Sequence, residues 1–70
     1  PSNLTYINNI GSYYMVAEQD FKTALKYYKK VLKKSPDDPT ALKNGMIAAR
    51  KLSNAKLEAK YRLALEKSTK

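Results

Sequence analysis

The chain has 70 residues, of which 14 are Lys or Arg and 6 are Asp or Glu, giving a net charge of +8, and it contains no Cys, His or Trp. Without thiol or imidazole it can build no disulfide framework and none of the usual structural zinc sites, and its few carboxylates suit only a hard cation. No apolar run approaches a membrane span, no signal-peptide pattern opens the chain, and a domain this short has a thin core. A chain that starts at Pro1 rather than Met is expected to be a processed product or a piece of something longer.

The elements follow in order. Leu4, Ile7, Ile10, Gly11 and Tyr14 mark one stripe of a first helix, and Ala17 to Asp20 form a turn that ends in a capping residue. Phe21, Ala24, Leu25, Tyr28, Val31 and Leu32 then recur at i, i+3, i+4, i+7, i+10 and i+11, which predicts a second helix. Lys22, Lys26, Lys29, Lys30, Lys33 and Lys34 occupy its other side. The run Ser35-Pro36-Asp37-Asp38-Pro39 stops that helix and starts a third, because Pro36 disfavours helical geometry at Ser35, Asp38 can cap, and Pro39 fits the first helical position. Ala41, Leu42, Gly45, Met46, Ala49 and Leu52 predict the stripe of the third helix, and Ser53-Asn54 a turn and cap. From Ala55 onward apolar residues alternate almost as in a strand, yet Leu57, Tyr61, Ala64 and Leu65 also fit a helix. The composition of strong helix formers, without a β-branched residue before Thr69, selects the helix.

The chain also repeats itself. Tyr28 to Ser35 aligns with Tyr61 to Ser68 at a shift of 33, and Ile7 and Asn9 align with Leu42 and Asn44 at a shift of 35, so the turn after the first helix is expected to be two residues longer in the first copy. A period of about 34 made of helix, turn and helix signals stacked hairpins. The residues Ile7-x2-Ile10-Gly11-x2-Tyr14, Ala24-x3-Tyr28 and Pro36 resemble the tetratricopeptide repeat signature. The resemblance implies an all-α fold: a fragment of an α-solenoid built from two antiparallel helix-turn-helix hairpins in a single domain, 1–70, with repeat one at 3–36 and repeat two at 39–69. The second copy departs from the pattern. At a shift of 35, Gly45 and Met46 exchange the large-then-small order, Ala49 replaces the aromatic, Leu57 replaces the small residue, and no closing Pro appears.

Such arrays bind peptides or helices of partner proteins in a groove lined by the first helix of each repeat. The resemblance therefore implies a protein–protein interaction module, or a scaffold element packed within a larger array. Carried over by position, the lining is Thr5, Asn8, Asn9, Ser12, Met15 and Val16 in one copy, and Thr40, Lys43, Asn44, Ile47, Arg50 and Lys51 in the other. The expected partner-binding set is Asn8, Ser12, Lys43, Asn44, Ile47, Arg50 and Lys51. A carboxylate clamp of the kind one subfamily uses is incomplete, since Asn8 stands where a Lys is wanted and Ser12 where an Asn is wanted. For Asn9 and Asn44, support of the hairpins through backbone hydrogen bonds is the simpler expectation. Lys43, Arg50 and Lys51, spaced by seven and eight on one helix, could meet an acidic peptide with several cations at once.

The lysine face of residues 22–34 raises an alternative, a basic helical nucleic-acid-binding domain. Against nucleic acid as partner stand the scarcity of Arg, limited to Arg50 and Arg62, and the sufficiency of a solvated outer surface as an account. Tyr14, Phe21, Tyr28 and Tyr61 are expected in the core, whereas Tyr6, Tyr13 and Tyr27 fall off the packed stripes. The last helix is apolar on two sides, so Ala59 and Leu63 are expected to contact a further repeat, a domain or a second copy. No Gly-rich phosphate loop or G-x-S-x-G is present, and Asp37 and Asp38 are accounted for by the helix break. Neither an enzyme nor a cofactor is implied, no membrane insertion is expected, and nothing points to a compartment.

Overall fold

The computed structural model of the chain describes residues 3–68, and among them four α-helices and no strand: α1 (Leu4–Val16), α2 (Phe21–Lys34), α3 (Pro39–Lys51) and α4 (Ala55–Ser68). Each helix starts on a short polar side chain that accepts from the backbone N–H three residues on. Asn3 accepts from Tyr6, Asp20 from Thr23, Asp38 from Ala41 and Asn54 from Leu57, at 3.0 to 3.1 Å. These bonds satisfy donors that a helix N-terminus leaves without partners. Asp20, Asp38 and Asn54 cap as their sequence positions predict; the cap at Asn3 is a further one. The alternating pattern of the last segment resolves as helix, and its Tyr61 is buried against α3.

The helices form two antiparallel hairpins. α1 packs on α2, α2 on α3 and α3 on α4, with a lighter contact between α1 and α3. The result is a slab of 33 × 32 × 15 Å, with α1 beside α3 on one side, and α2 and α4 on the other, where Leu25 and Tyr61 join one cluster and Leu32 and Lys60 border one groove. Ala24, Tyr28, Val31 and Ala41 form one buried cluster, and Leu25, Leu42, Ala48 and Tyr61 a second. Among the described residues no helix is long and apolar enough to cross a membrane.

Two glycine–tyrosine contacts set the packing of the hairpins. A Cβ placed on Gly11 would stand 2.9 Å from Tyr28 Cε1, and one placed on Gly45 would stand 2.9 Å from Tyr61 Cε2. In each hairpin, therefore, the tyrosine ring of the second helix lies flush on the backbone of the first, where only glycine leaves room. This pairing corrects the expected alignment. Gly45 takes the place of Gly11 at a shift of 34, not that of Ile10 at 35, so the order of large and small residues is not exchanged in the second copy. Burial agrees: Asn8 and Leu42 are both buried, and Thr5, Tyr6, Asn9 and Val16 are exposed like Pro39, Thr40, Lys43 and Arg50. The α1–α2 connection is one residue longer than the α3–α4 connection, not two. Both turns hold a residue at positive φ, Gln19 at 52° and Ser53 at 59°, again 34 apart.

The same register explains two departures in α3. Ala48, not expected on the packed stripe, is fully buried, and Leu52, expected on it, is 40% exposed. Leu52 lies beyond the last helical turn, at the C-cap, where its side chain leaves the interface.

Candidate functional site

With their buried sides against α2 and α4, α1 and α3 each leave one stripe in solvent. On α1 it runs Tyr6, Asn9, Tyr13 and Val16, at i, i+3, i+7 and i+10; on α3 the residues 34 positions on are Thr40, Lys43, Ile47 and Arg50. Three large apolar side chains stand open on the first stripe: Tyr6 is 62% exposed, Tyr13 54% and Val16 71%. Side chains of this kind ordinarily fill a core, and a contiguous exposed set marks a surface suited to a partner. Tyr13 is also held in place. Its hydroxyl donates to Glu18 Oε2 at 2.9 Å, and its ring meets Tyr14 edge-on at 5.4 Å. The hydrogen bond to Glu18, then the charge of that carboxylate, raises the Tyr13 pKa above its ordinary value.

Beneath this surface lies the tip of Tyr28. The side chain rises from α2 between α1 and α3, and its hydroxyl lies 3.1 Å from Ser12 Oγ, with the Asn44 side chain near it on the α3 side. Burial raises the Tyr28 pKa, and the bonds to Ser12 and Asn44 offset part of that rise. This hydroxyl thus ties α2 to α1 directly beside α3. Tyr61, its counterpart in the second hairpin, has Met46 at the position of Ser12, and burial alone raises its pKa.

The residues expected to bind a partner divide between these two levels. Ser12 and Asn44 are half-buried, Ser12 bonded to the Tyr28 hydroxyl and Asn44 near it. Asn8 is only 6% exposed, and its buried Oδ1 has no hydrogen-bond partner. Lys43, Ile47 and Arg50 share the open stripe of α3, Ile47 being half-buried. Arg50 is partly committed there, its Nε donating to Glu58 Oε2 of α4 at 2.9 Å. Lys51 is turned aside, with its Nζ 6.0 Å from the centre of the Phe21 ring at the start of α2. Lys43, Arg50 and Lys51 therefore do not converge on one point. Asn9 is exposed, and Asn44 is half-buried near Tyr28.

Tyr6 and Tyr13 are the residues that sequence reasoning left without a place. Aligning the two glycines would have found them, because it sets Tyr6 beside Thr40 and Tyr13 beside Ile47 on the solvent stripe. The third unplaced ring, Tyr27, is half-buried and stacks on Tyr14, with centroids 5.7 Å apart and planes 5° from parallel. Among the described residues no group of three or more His, Cys, Asp or Glu is placed to hold a metal ion. Compared with known proteins, the chain matches no family model, no curated protein and no solved structure.

Proposed function

We propose that the chain is a pair of tetratricopeptide-like hairpins that acts as a non-catalytic protein–protein interaction module, binding a segment of a partner protein across the open face of α1 and α3. The observation that carries this reading is the exposure of Tyr6, Tyr13 and Val16 in one stripe beside the stripe of Lys43 and Arg50. An apolar edge next to a cationic edge suits a helix or extended segment whose own residues are apolar on one side and acidic on the other. The tyrosines supply large contact area at little conformational cost, and the cations favour acidic segments over basic ones.

Selection of random peptides against the immobilised chain tests the reading. Enriched peptides should combine apolar and acidic residues. They should lose at least tenfold in affinity, by fluorescence anisotropy, for a chain carrying Tyr6→Ser, Val16→Ser and Lys43→Glu, a loss of about 1.4 kcal/mol or more. All three side chains are exposed, so the fold is retained. Peptides that bind the variant as tightly as the native chain would refute the assignment.

A further inference from the structure

The other broad side of the slab, formed by α2 and α4, carries a different chemistry. Lys22, Lys26, Lys29 and Lys33 recur at i, i+4, i+7 and i+11 along the exposed side of α2, so they form one row. With Leu25 and Lys30 they line a shallow groove of about 450 Å³. None of the lysines in this row is ion-paired among the described residues. Lys29 also borders a second groove, of about 230 Å³, which Lys60 of α4 borders too, so the cationic surface continues from one helix to the next. On α4, Leu63 is 56% exposed, and Lys56, Lys60 and Lys67 lie seven and three residues before it and four after, on neighbouring positions of the same helix surface.

We infer that this outer face docks on an anionic lipid bilayer, with the α2 lysines among the headgroups and Leu63 entering the interface. Three features select this occupant. The face belongs to a thin slab measuring 33 × 32 Å across, so many of its cations can approach a plane together. Its row is built from Lys alone, a compact charge suited to a diffuse negative potential, whereas nucleic acid is read largely through Arg forks and stacked rings. Of the half-buried rings on α2, Tyr27 is taken up by Tyr14 and lies under Lys30 Nζ at 5.0 Å, and Phe21 lies under Lys51 Nζ at 6.0 Å. Finally, an exposed leucine with Lys60 and Lys67 one turn away on either side, beside Glu66, gains from a lipid interface and gains nothing from a sugar–phosphate backbone. Docking here is peripheral, and it leaves the α1 and α3 stripes free on the opposite side.

Cosedimentation with vesicles tests this. Each lysine near a bilayer rich in anionic lipid contributes about a fivefold factor in partition, so with about 30% phosphatidylserine the double variant Lys26→Ala, Lys33→Ala should lose roughly 25-fold. Leu63→Ser should weaken partition about fivefold, and salt raised from about 0.05 to 0.3 M should abolish most of it. Phosphatidylcholine vesicles should leave the chain in the supernatant. All three positions are exposed, so circular dichroism should be unchanged. Equal binding to both vesicle types, failure to bind phosphatidylserine at low salt, or full partition of the lysine variant each overturns the inference. So does retention of a DNA duplex, lost in the same lysine variant, by a chain that ignores vesicles. Because the lysine variant leaves Tyr6, Val16 and Lys43 intact, its failure is distinguishable from failure of the peptide-binding reading.

Discussion

Replacing Gly11 with alanine tests whether the Tyr28 ring sets the geometry of the first hairpin. In an isolated helix the change would be favourable by about 1 kcal/mol, since alanine is the better helix former. Here the new methyl would stand 2.9, 3.0 and 3.3 Å from three atoms of the ring. The ring cannot move aside, because Tyr28 is fully buried and its hydroxyl is engaged by Ser12. Overpacking of this kind costs about 1 to 3 kcal/mol; with contacts at the short limit the upper half of that range applies, and after the helical gain about 1 to 2 kcal/mol of net destabilisation remains. For a chain of this size that is a sizeable share of a total stability of about 4 to 10 kcal/mol. Gly45→Ala meets Tyr61 at nearly the same distances, but that ring belongs to the last helix and has no hydroxyl partner holding it. It can give way, so the loss should be smaller than for Gly11→Ala. Urea unfolding followed by circular dichroism measures both. A Gly11→Ala chain more stable than the native one would refute the reasoning, for it would mean that helix propensity outweighs the contact and that the ring does not occupy the space.

Asn8→Leu should stabilise the chain by about 1 to 2 kcal/mol in the same assay, because it removes a buried acceptor without a partner and adds apolar burial where the second repeat already has Leu42. Ser12→Ala and Tyr28→Phe should be non-additive by about 1 kcal/mol in a double-mutant cycle, and strict additivity would show that the 3.1 Å contact contributes nothing. Asp20 predicts an acid limit. Hydrogen bonds from the Thr23 hydroxyl and N–H hold its carboxyl below the ordinary 3.8, so the unfolded chain binds the proton more tightly. Its contribution is therefore complete above 3.8 and is lost as pH falls through the lower folded value; Asp20→Asn should flatten stability against pH in that window. Tyr28 and Tyr61 predict the opposite limit. Burial raises both above 10.0, so the stability they confer is present below 10.0 and lost as pH rises through the folded values, which ultraviolet titration of tyrosinate against unfolding would resolve.

The four helices were legible because their signals are local. Asp20, Asp38, Asn54 and Pro39 act within one turn of their own position, and the stripe of α2 repeats often enough to exclude any other period. Register between the copies was less legible, since Asn9 and Asn44 offer a chemical match at 35 that competes with the glycines at 34. What decides is steric: a tyrosine ring 17 residues downstream of Gly11 and 16 downstream of Gly45 demands a residue without Cβ. That constraint couples two helices, and a scan of one helix at a time does not see it. The misplaced surface followed from the misplaced register. One step of 100° around α1 moves the open stripe from Asn8 and Ser12 to Asn9 and Tyr13, and lines up Ile47 with Tyr13 rather than with Ser12. Asn8 escaped notice for another reason. A polar residue is expected in solvent, and nothing local marks one that is buried without a partner.

The charge of +8 is sorted by layer, and this bears on how the two faces act together. α1 carries no Lys or Arg, so the apolar stripe of Tyr6, Tyr13 and Val16 lies in the least charged part of the slab, while α2 holds its lysines on the far side. The slab is only 15 Å thick. At about 0.01 M salt the screening length is about 30 Å, and the outer lysines would then attract an acidic partner through the body of the protein to the opposite face. At about 0.15 M it falls to about 8 Å, less than the thickness of the slab, and only Lys43 and Arg50 act on that partner. Affinity for an acidic peptide should therefore depend on Lys26 and Lys33 at low salt and lose that dependence near physiological salt, whereas its dependence on Lys43 should persist through both. If Lys26→Ala, Lys33→Ala still weakened the peptide at the higher salt, the peptide would have to touch the outer face, and the separation of roles between the two sides of the slab would be wrong.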